Sequence, residues 1–168
     1  MNGFRRPATI ISTLAISAGA VFGGALGAGH AAADPGGEYL KSINCNVGNP
    51  YGGPRLRVFV DVWNKVRFPS DGLPGPAIEL IASNPQAQDA FTAFKRYKGW
   101  TTVTWRNTSN GRHGVVRVPI SGQRASWQAV LHPGSGHVNF TIKEKVSGVV
   151  MVENFNTQTR TCKSSAWA

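Results

Sequence analysis

The chain has 168 residues and carries 18 Lys and Arg against 8 Asp and Glu, a formal charge of +10. That balance favours polyanions over polycations as partners.

The first element in the chain is an export signal. Arg5 and Arg6 precede a mostly apolar stretch from Ile10 to Ala28, and Ala31-Ala32-Ala33 stands before Asp34. This order predicts a signal peptide over residues 1–33, cleaved after Ala33. A Gly-rich composition and the lack of a positive flank after the apolar stretch argue against a membrane anchor. Pro7-Ala8-Thr9 behind the arginine pair favours the general secretory route over the twin-arginine one. Removing residues 1–33 takes two arginines and no acid, which leaves 135 residues at +8. The mature chain is then expected to be a monomer without a transmembrane span, with one core that buries roughly two-thirds of its unfolded surface.

Residues 34–54 read as a Pro- and Gly-rich leader with a first strand, and residues 55–168 as the domain proper. In RLRVFVDVW (55–63), Leu56, Val58, Val60 and Val62 alternate with Arg57, Phe59, Asp61 and Trp63. That period of two predicts a strand, and its partly apolar second face places it near the middle of a sheet. The turn residues of FPSDGLPGP (68–76) predict a loop. SNPQAQDAFTAFKRYKG (83–99) carries the one helical pattern. Asn84 can cap, Pro85 suits the first turn, and Ala87, Ala90, Phe91 and Phe94 share a face; Lys95, Arg96 and Lys98 meet the negative end of the dipole before Gly99. A short helix over 84–98 is the expectation, and a strand over 88–97 turning at Lys98-Gly99 competes with it.

In TVTWRNTSNGRHGVVRVP (102–119), Asn110-Gly111 predicts a two-residue hairpin turn. Trp105 then faces Val116 and Val103 faces Val118 on an apolar side, while Arg106 faces Val115 and Thr104 faces Arg117 on a basic one. The segment LHPGSGHV (131–138) predicts a second hairpin with a four-residue loop at 133–136. It pairs Leu131 with Val138, Ala129 with Phe140 and Trp127 with Ile142, and sets Ser126 opposite Lys143 and His132 opposite His137 on the wet side. Apolar residues at 149–152 and TQTRTC (157–162) read as later strands. Cys45 and Cys162, in a chain addressed to an oxidising compartment, predict one disulfide. Together these elements predict a mainly β protein, an antiparallel immunoglobulin-like sandwich with one short helix. The span between the cysteines exceeds the usual inter-sheet spacing of an antibody domain.

Catalytic and metal chemistry find little footing. A cross-strand pair of His132 and His137 is close enough to chelate an ion, yet Val130, Ser135 and Asn139 nearby are poor further ligands and His113 lies on the other hairpin. Ser135 in PGSGH lacks the first Gly and the strand-to-helix elbow of G-x-S-x-G. No phosphate loop, dinucleotide fingerprint or H-E-x-x-H occurs. No catalytic group, metal or cofactor is therefore expected, and nucleic acid is a poor partner for an exported chain without a stacking motif. Asn107-Thr108-Ser109 and Asn139-Phe140-Thr141 match the glycosylation pattern.

Lys95, Arg96, Lys98, Arg106, Arg117 and Lys143 are the candidate residues for an anionic surface. The signal region together with VTWRNTSNGRHGVV (103–116) resembles small secreted proteins of actinobacteria, mycobacteria and their relatives included. The resemblance implies an envelope or extracellular setting and a β-sandwich, and adds no reaction. The leading expectation is a non-catalytic secreted module that binds an anionic envelope polymer or an extracellular protein. The alternatives are a secreted hydrolase built on Asp61, His113, His132 or His137, and a carrier of an apolar ligand in the sandwich core.

Overall fold

The computed structural model describes residues 36–85, 94–150 and 155–168. The predicted signal segment, residues 1–33, lies outside the described residues, as does most of the predicted helix, residues 86–93. The remainder is built from eight strands: β1 (Glu38–Asn44), β2 (Phe59–Val66), β3 (Ala77–Ser83), β4 (Arg96–Asn107), β5 (His113–Gly122), β6 (Trp127–Leu131), β7 (His137–Val149) and β8 (Phe155–Trp167). They form two antiparallel four-stranded sheets, in the orders β1-β2-β3-β6 and β5-β4-β7-β8. The protein is a β-sandwich.

Alternation along each strand decides which side faces the core. On β2, Val60 and Val62 are fully buried, in line with Leu56 and Val58 ahead of the strand, and β2 runs between β1 and β3 as its two-sided apolar pattern predicts. Ile78 and Leu80 from β3, Val103 and Trp105 from β4, and Val138, Phe140 and Ile142 from β7 complete one core between the sheets. Cys45, just past β1, is bonded to Cys162 in β8, so the predicted bridge joins one sheet to the other near their edges. Among the described residues no helix is long and apolar enough to cross a membrane.

Three local expectations are corrected. The helix over 84–98 does not reach its basic end, because Arg96 and Lys98 belong to β4 and only Phe94 has a helical turn conformation among the described part. The decisive pattern is the period of two from Arg96 to Asn107, whose odd-numbered residues are all buried. The competing turn at Lys98-Gly99 is absent too. Gly99 lies in the middle of a paired strand, where a Cβ would collide with the carbonyl oxygen of Lys145 on β7. Glycine here answers a close approach of backbones, not a break in the chain.

The hairpin between β4 and β5 exists, but its register differs by two residues. Trp105 faces Gly114, Val103 faces Val116 and Arg106 faces His113. The loop holds four residues, not two, because Asn107 closes it. Its N–H donates to Arg112 O (2.7 Å), its carbonyl accepts from Gly111 N–H (3.0 Å), and its Oδ1 accepts from Ser109 and Asn110 N–H (2.9 and 3.3 Å). Gly111 supplies the positive φ of 76° that the exit requires. A shift of two leaves every side chain on its predicted face.

The third correction is topological. β6 pairs with β3 in one sheet, while β7 pairs with β4 and β8 in the other. Leu131, Ala129 and Trp127 do point inward, and so do Val138, Phe140 and Ile142, but they enter the one core from opposite sheets. Residues 132–136 are therefore a crossover between sheets, not a hairpin loop. The buried Asn107 amide donates to Pro133 O (3.1 Å) and Ser135 O (3.0 Å), and Asn110 Nδ2 donates to the same two carbonyls (3.1 and 3.2 Å). The tip of the first hairpin thus clamps the crossover.

Candidate polyanion-binding face

The register of β5-β4-β7-β8 fixes which side chains share its outer face. Reading across the strands, one row holds Arg117, Thr102, Lys143 and Thr161; the next holds Pro119, Trp100, Lys145 and Thr159. On the other side of the first row come Val115, Thr104, Thr141 and Lys163, then His113, Arg106, Asn139 and Ser165. Lys98 and Arg96 continue β4 on the same side, since Tyr97 between them is buried. Seven Lys and Arg side chains, from Arg96, Lys98, Arg106, Arg117, Lys143, Lys145 and Lys163, therefore stand on one exposed face among hydroxyl-bearing neighbours.

Carboxylates are distributed the other way. Of the five in the described residues, Glu38, Asp61, Asp71 and Glu79 belong to the first sheet or its loop. The fifth, Glu144 on β7, points into the core. No described carboxylate stands on the basic face. Neighbouring strands lie about 4.8 Å apart and alternate residues about 7 Å apart along a strand, so the cations form an array with a pitch close to one Debye length at physiological salt, about 8 Å. Their fields add over this distance.

The face is not flat. A shallow trough of about 900 Å³ runs over Thr104, Arg106, His113, Asn139, Thr141 and Lys163. A second concavity, of about 370 Å³, is lined by Gly99, Trp100, Arg117, Lys145, Ser147 and Thr157. Within it the Arg117 guanidinium lies 4.7 Å from the Trp100 ring centroid, a cation–π contact that holds both side chains in place. Ser147 Oγ and Thr157 Oγ1 share a hydrogen bond of 2.7 Å on the opposite wall.

Of the six candidates named from sequence, Arg96, Lys98, Arg106, Arg117 and Lys143 share this face. Lys95 precedes β4 and leaves the pattern, its Nζ lying 5.9 Å from the Tyr51 ring centroid. Lys145 and Lys163 escaped sequence reasoning. Both were signalled by parity, Lys145 by its spacing of two from Lys143 and Lys163 by its adjacency to an inward Cys162.

The residues offered for a hydrolase are not assembled into one centre. Asp61 lies half-buried on β2 of the first sheet, and His113 opens β5 of the second. The opposed histidine pair is replaced by two separate environments, because the crossover parts them. His137 packs edge-on against Trp167 at 5.3 Å and contacts Thr108 Oγ1 through Nδ1 at 3.4 Å. His132 Nε2 contacts Asp71 Oδ2 at 2.8 Å, pinning the 67–76 loop over the outside of the first sheet. Partial burial pushes the Asp71 carboxyl up, but the bonds from His132 and Leu73 N–H and the charge of His132 together outweigh it and hold the carboxyl below its ordinary value. Among the described residues no three His, Cys, Asp or Glu side chains converge to hold a metal ion.

Glu144 carries a carboxyl into the core. Its Oε1 accepts from Trp127 Nε1 (2.7 Å), while its Oε2 and the Oγ1 of its cross-strand partner Thr101 have no hydrogen-bond partner. Burial pushes its carboxyl up to about 7, against the opposing pull of the Trp127 bond. Comparison of the chain with protein families, with curated proteins and with solved structures returns no match.

Proposed function

We propose that the protein is a secreted, non-catalytic module that binds an anionic polymer of the cell envelope through the outer face of β5-β4-β7-β8. The observation that carries this reading is the segregation of charge: seven Lys and Arg on that face and no described carboxylate among them. Such a one-signed patch raises the local concentration of a polyanion and speeds its capture. The disulfide between Cys45 and Cys162 accords with an oxidising, extracellular setting. The resemblance to secreted actinobacterial proteins points the same way.

The experiment measures retention on isolated envelope across a salt series. Added salt is expected to release the protein, since exposed charges are screened within about 8 Å at physiological ionic strength. Reversing Arg117 and Lys143 together to Glu should abolish most retention. Reversing Arg57, which is exposed beside β2 of the first sheet, should change it little. Retention that ignores salt, or equal loss from both variants, would remove the basic face from consideration.

A further inference from the structure

We infer that the ligand of this face is an acidic polysaccharide, a chain of carboxylate-bearing sugar rings with one ring seated against Trp100. The inference rests on the polyanion-binding reading above and specifies its ligand. Charge alone would be served by Lys and Arg on any scaffold, and a polyphosphate or an acidic peptide would ask for nothing more. Trp100 is the feature that charge does not explain. It stands on a central strand in the middle of the basic face, 45 % exposed, where its indole has no core to join.

An indole so placed is a platform. The C–H side of a sugar ring packs on aromatic surface, and the ring's carboxylate is within reach of cations on either side of the platform. Arg117 and Lys145 line the same concavity as Trp100, one from each neighbouring strand. Arg117 lies over one side of the indole at 4.7 Å, so its planar donors are held beside the platform before any ligand arrives. The sugar takes the side that the guanidinium does not cover. Thr157, exposed and bonded to the buried Ser147, completes the wall with a hydroxyl that can exchange hydrogen bonds with the hydroxyls of a sugar.

Concavity also speaks against an anionic bilayer as the occupant. Val115 and Trp167 do project from this face, but they stand in other rows. Trp100 lines a recess flanked by two cations, a shape that seats a ring and not a bilayer surface. The second trough begins at Thr104, four residues further along β4, or roughly 13 Å away at strand rise. One sugar cannot fill both depressions. A chain can, and the second engagement is then intramolecular, which raises affinity without any new type of contact.

The test is calorimetric titration of the disulfide-intact protein at one fixed ionic strength with four probes: galacturonic acid, oligogalacturonates of increasing length, poly-L-glutamate of matched charge, and phosphatidylglycerol vesicles. Affinity should rise with oligogalacturonate length and exceed that for poly-L-glutamate. Trp100→Ala should weaken the oligogalacturonate at least about tenfold and leave poly-L-glutamate unchanged, whereas Lys145→Gln should weaken both. Trp100→Tyr, which keeps an aromatic platform, should retain most of the glycan affinity, and it guards against misreading a folding defect in the alanine variant. Equal affinity for both carboxylate polymers with no effect of Trp100→Ala would overturn the glycan assignment while leaving the basic face standing. Preference for the vesicles over the glycan would overturn it in favour of a membrane. Failure to bind any of the polyanions would overturn both readings together.

Discussion

Replacing Glu144 with Gln should make the protein more stable above neutral pH and less sensitive to pH. Glu144 sits among Val138, Phe140, Ile142 and Val146 on the inward side of β7 and is almost wholly buried. Its carboxyl is pushed from 4.5 to about 7 in the folded state. Between these values the folded protein keeps a proton that the unfolded chain has released, so stability falls as pH rises through the interval. At about 1.4 kcal/mol per pH unit the full loss is roughly 3 kcal/mol, complete a little above pH 7 and absent below about pH 4.5. A glutamine keeps an oxygen for Trp127 Nε1 and cannot ionise. Urea unfolding of wild type and Glu144→Gln from pH 5 to pH 9 isolates the effect, because every other titrating group cancels in the difference. The two should be nearly equal at pH 5, with the variant ahead by roughly 3 kcal/mol at pH 8. Parallel pH profiles, or a variant that is the weaker of the two at pH 8, would refute the reasoning.

Other outcomes follow from the same structure. Asn107→Ala should cost about 2–4 kcal/mol, measured by chemical unfolding, since it strips a fully buried amide that closes one hairpin and clamps the sheet crossover. The same burial predicts that a glycosylating host modifies the exposed Asn139 and leaves Asn107 bare, which mass spectrometry of the glycopeptides would show. Reducing the bridge between Cys45 and Cys162, 117 residues apart, should lower stability by about 4–5 kcal/mol on the chain-entropy account, read as a fall in midpoint with added reductant. N-terminal sequencing of exported protein should begin at Asp34, and a chain that retains Ile10 to Ala28 would contradict the export reading.

The fold was legible wherever a short-range rule decided it. Alternation alone separated Val58, Val60 and Val62 from Arg57, Phe59 and Asp61, and the two cysteines of the sequence announced their own bond. What failed were inferences about partners. Alternation states which side of a strand is apolar, and says nothing of whether the next strand lies beside it or across from it. β6 and β7 satisfy the hairpin pattern at every inward pair, yet the same apolar residues are equally well buried when the strands lie in opposite sheets that share the core. The choice was made at a distance, by β3 competing for β6 and by β4 and β8 competing for β7. Likewise Asn107 shifted one register through bonds that no turn dipeptide encodes.

The candidate face survived these errors for a physical reason. A register slip of two preserves facing, and a strand moved to another sheet keeps its polar side toward water. Arg106, Arg117 and Lys143 were therefore placed outward correctly by an argument whose pairings were wrong. Their gathering on one face could not be read in the same way, because it depends on β4, β5, β7 and β8 being neighbours in one sheet. Had β6 stood beside β7 as the hairpin reading required, Ser126 would face Lys143, and the row from Arg117 through Lys143 to Thr161 would be differently composed. The basic array is thus a product of topology acting on parity. That is why Lys145 and Lys163, each visible as outward by parity alone, joined the site only once the strand order was known.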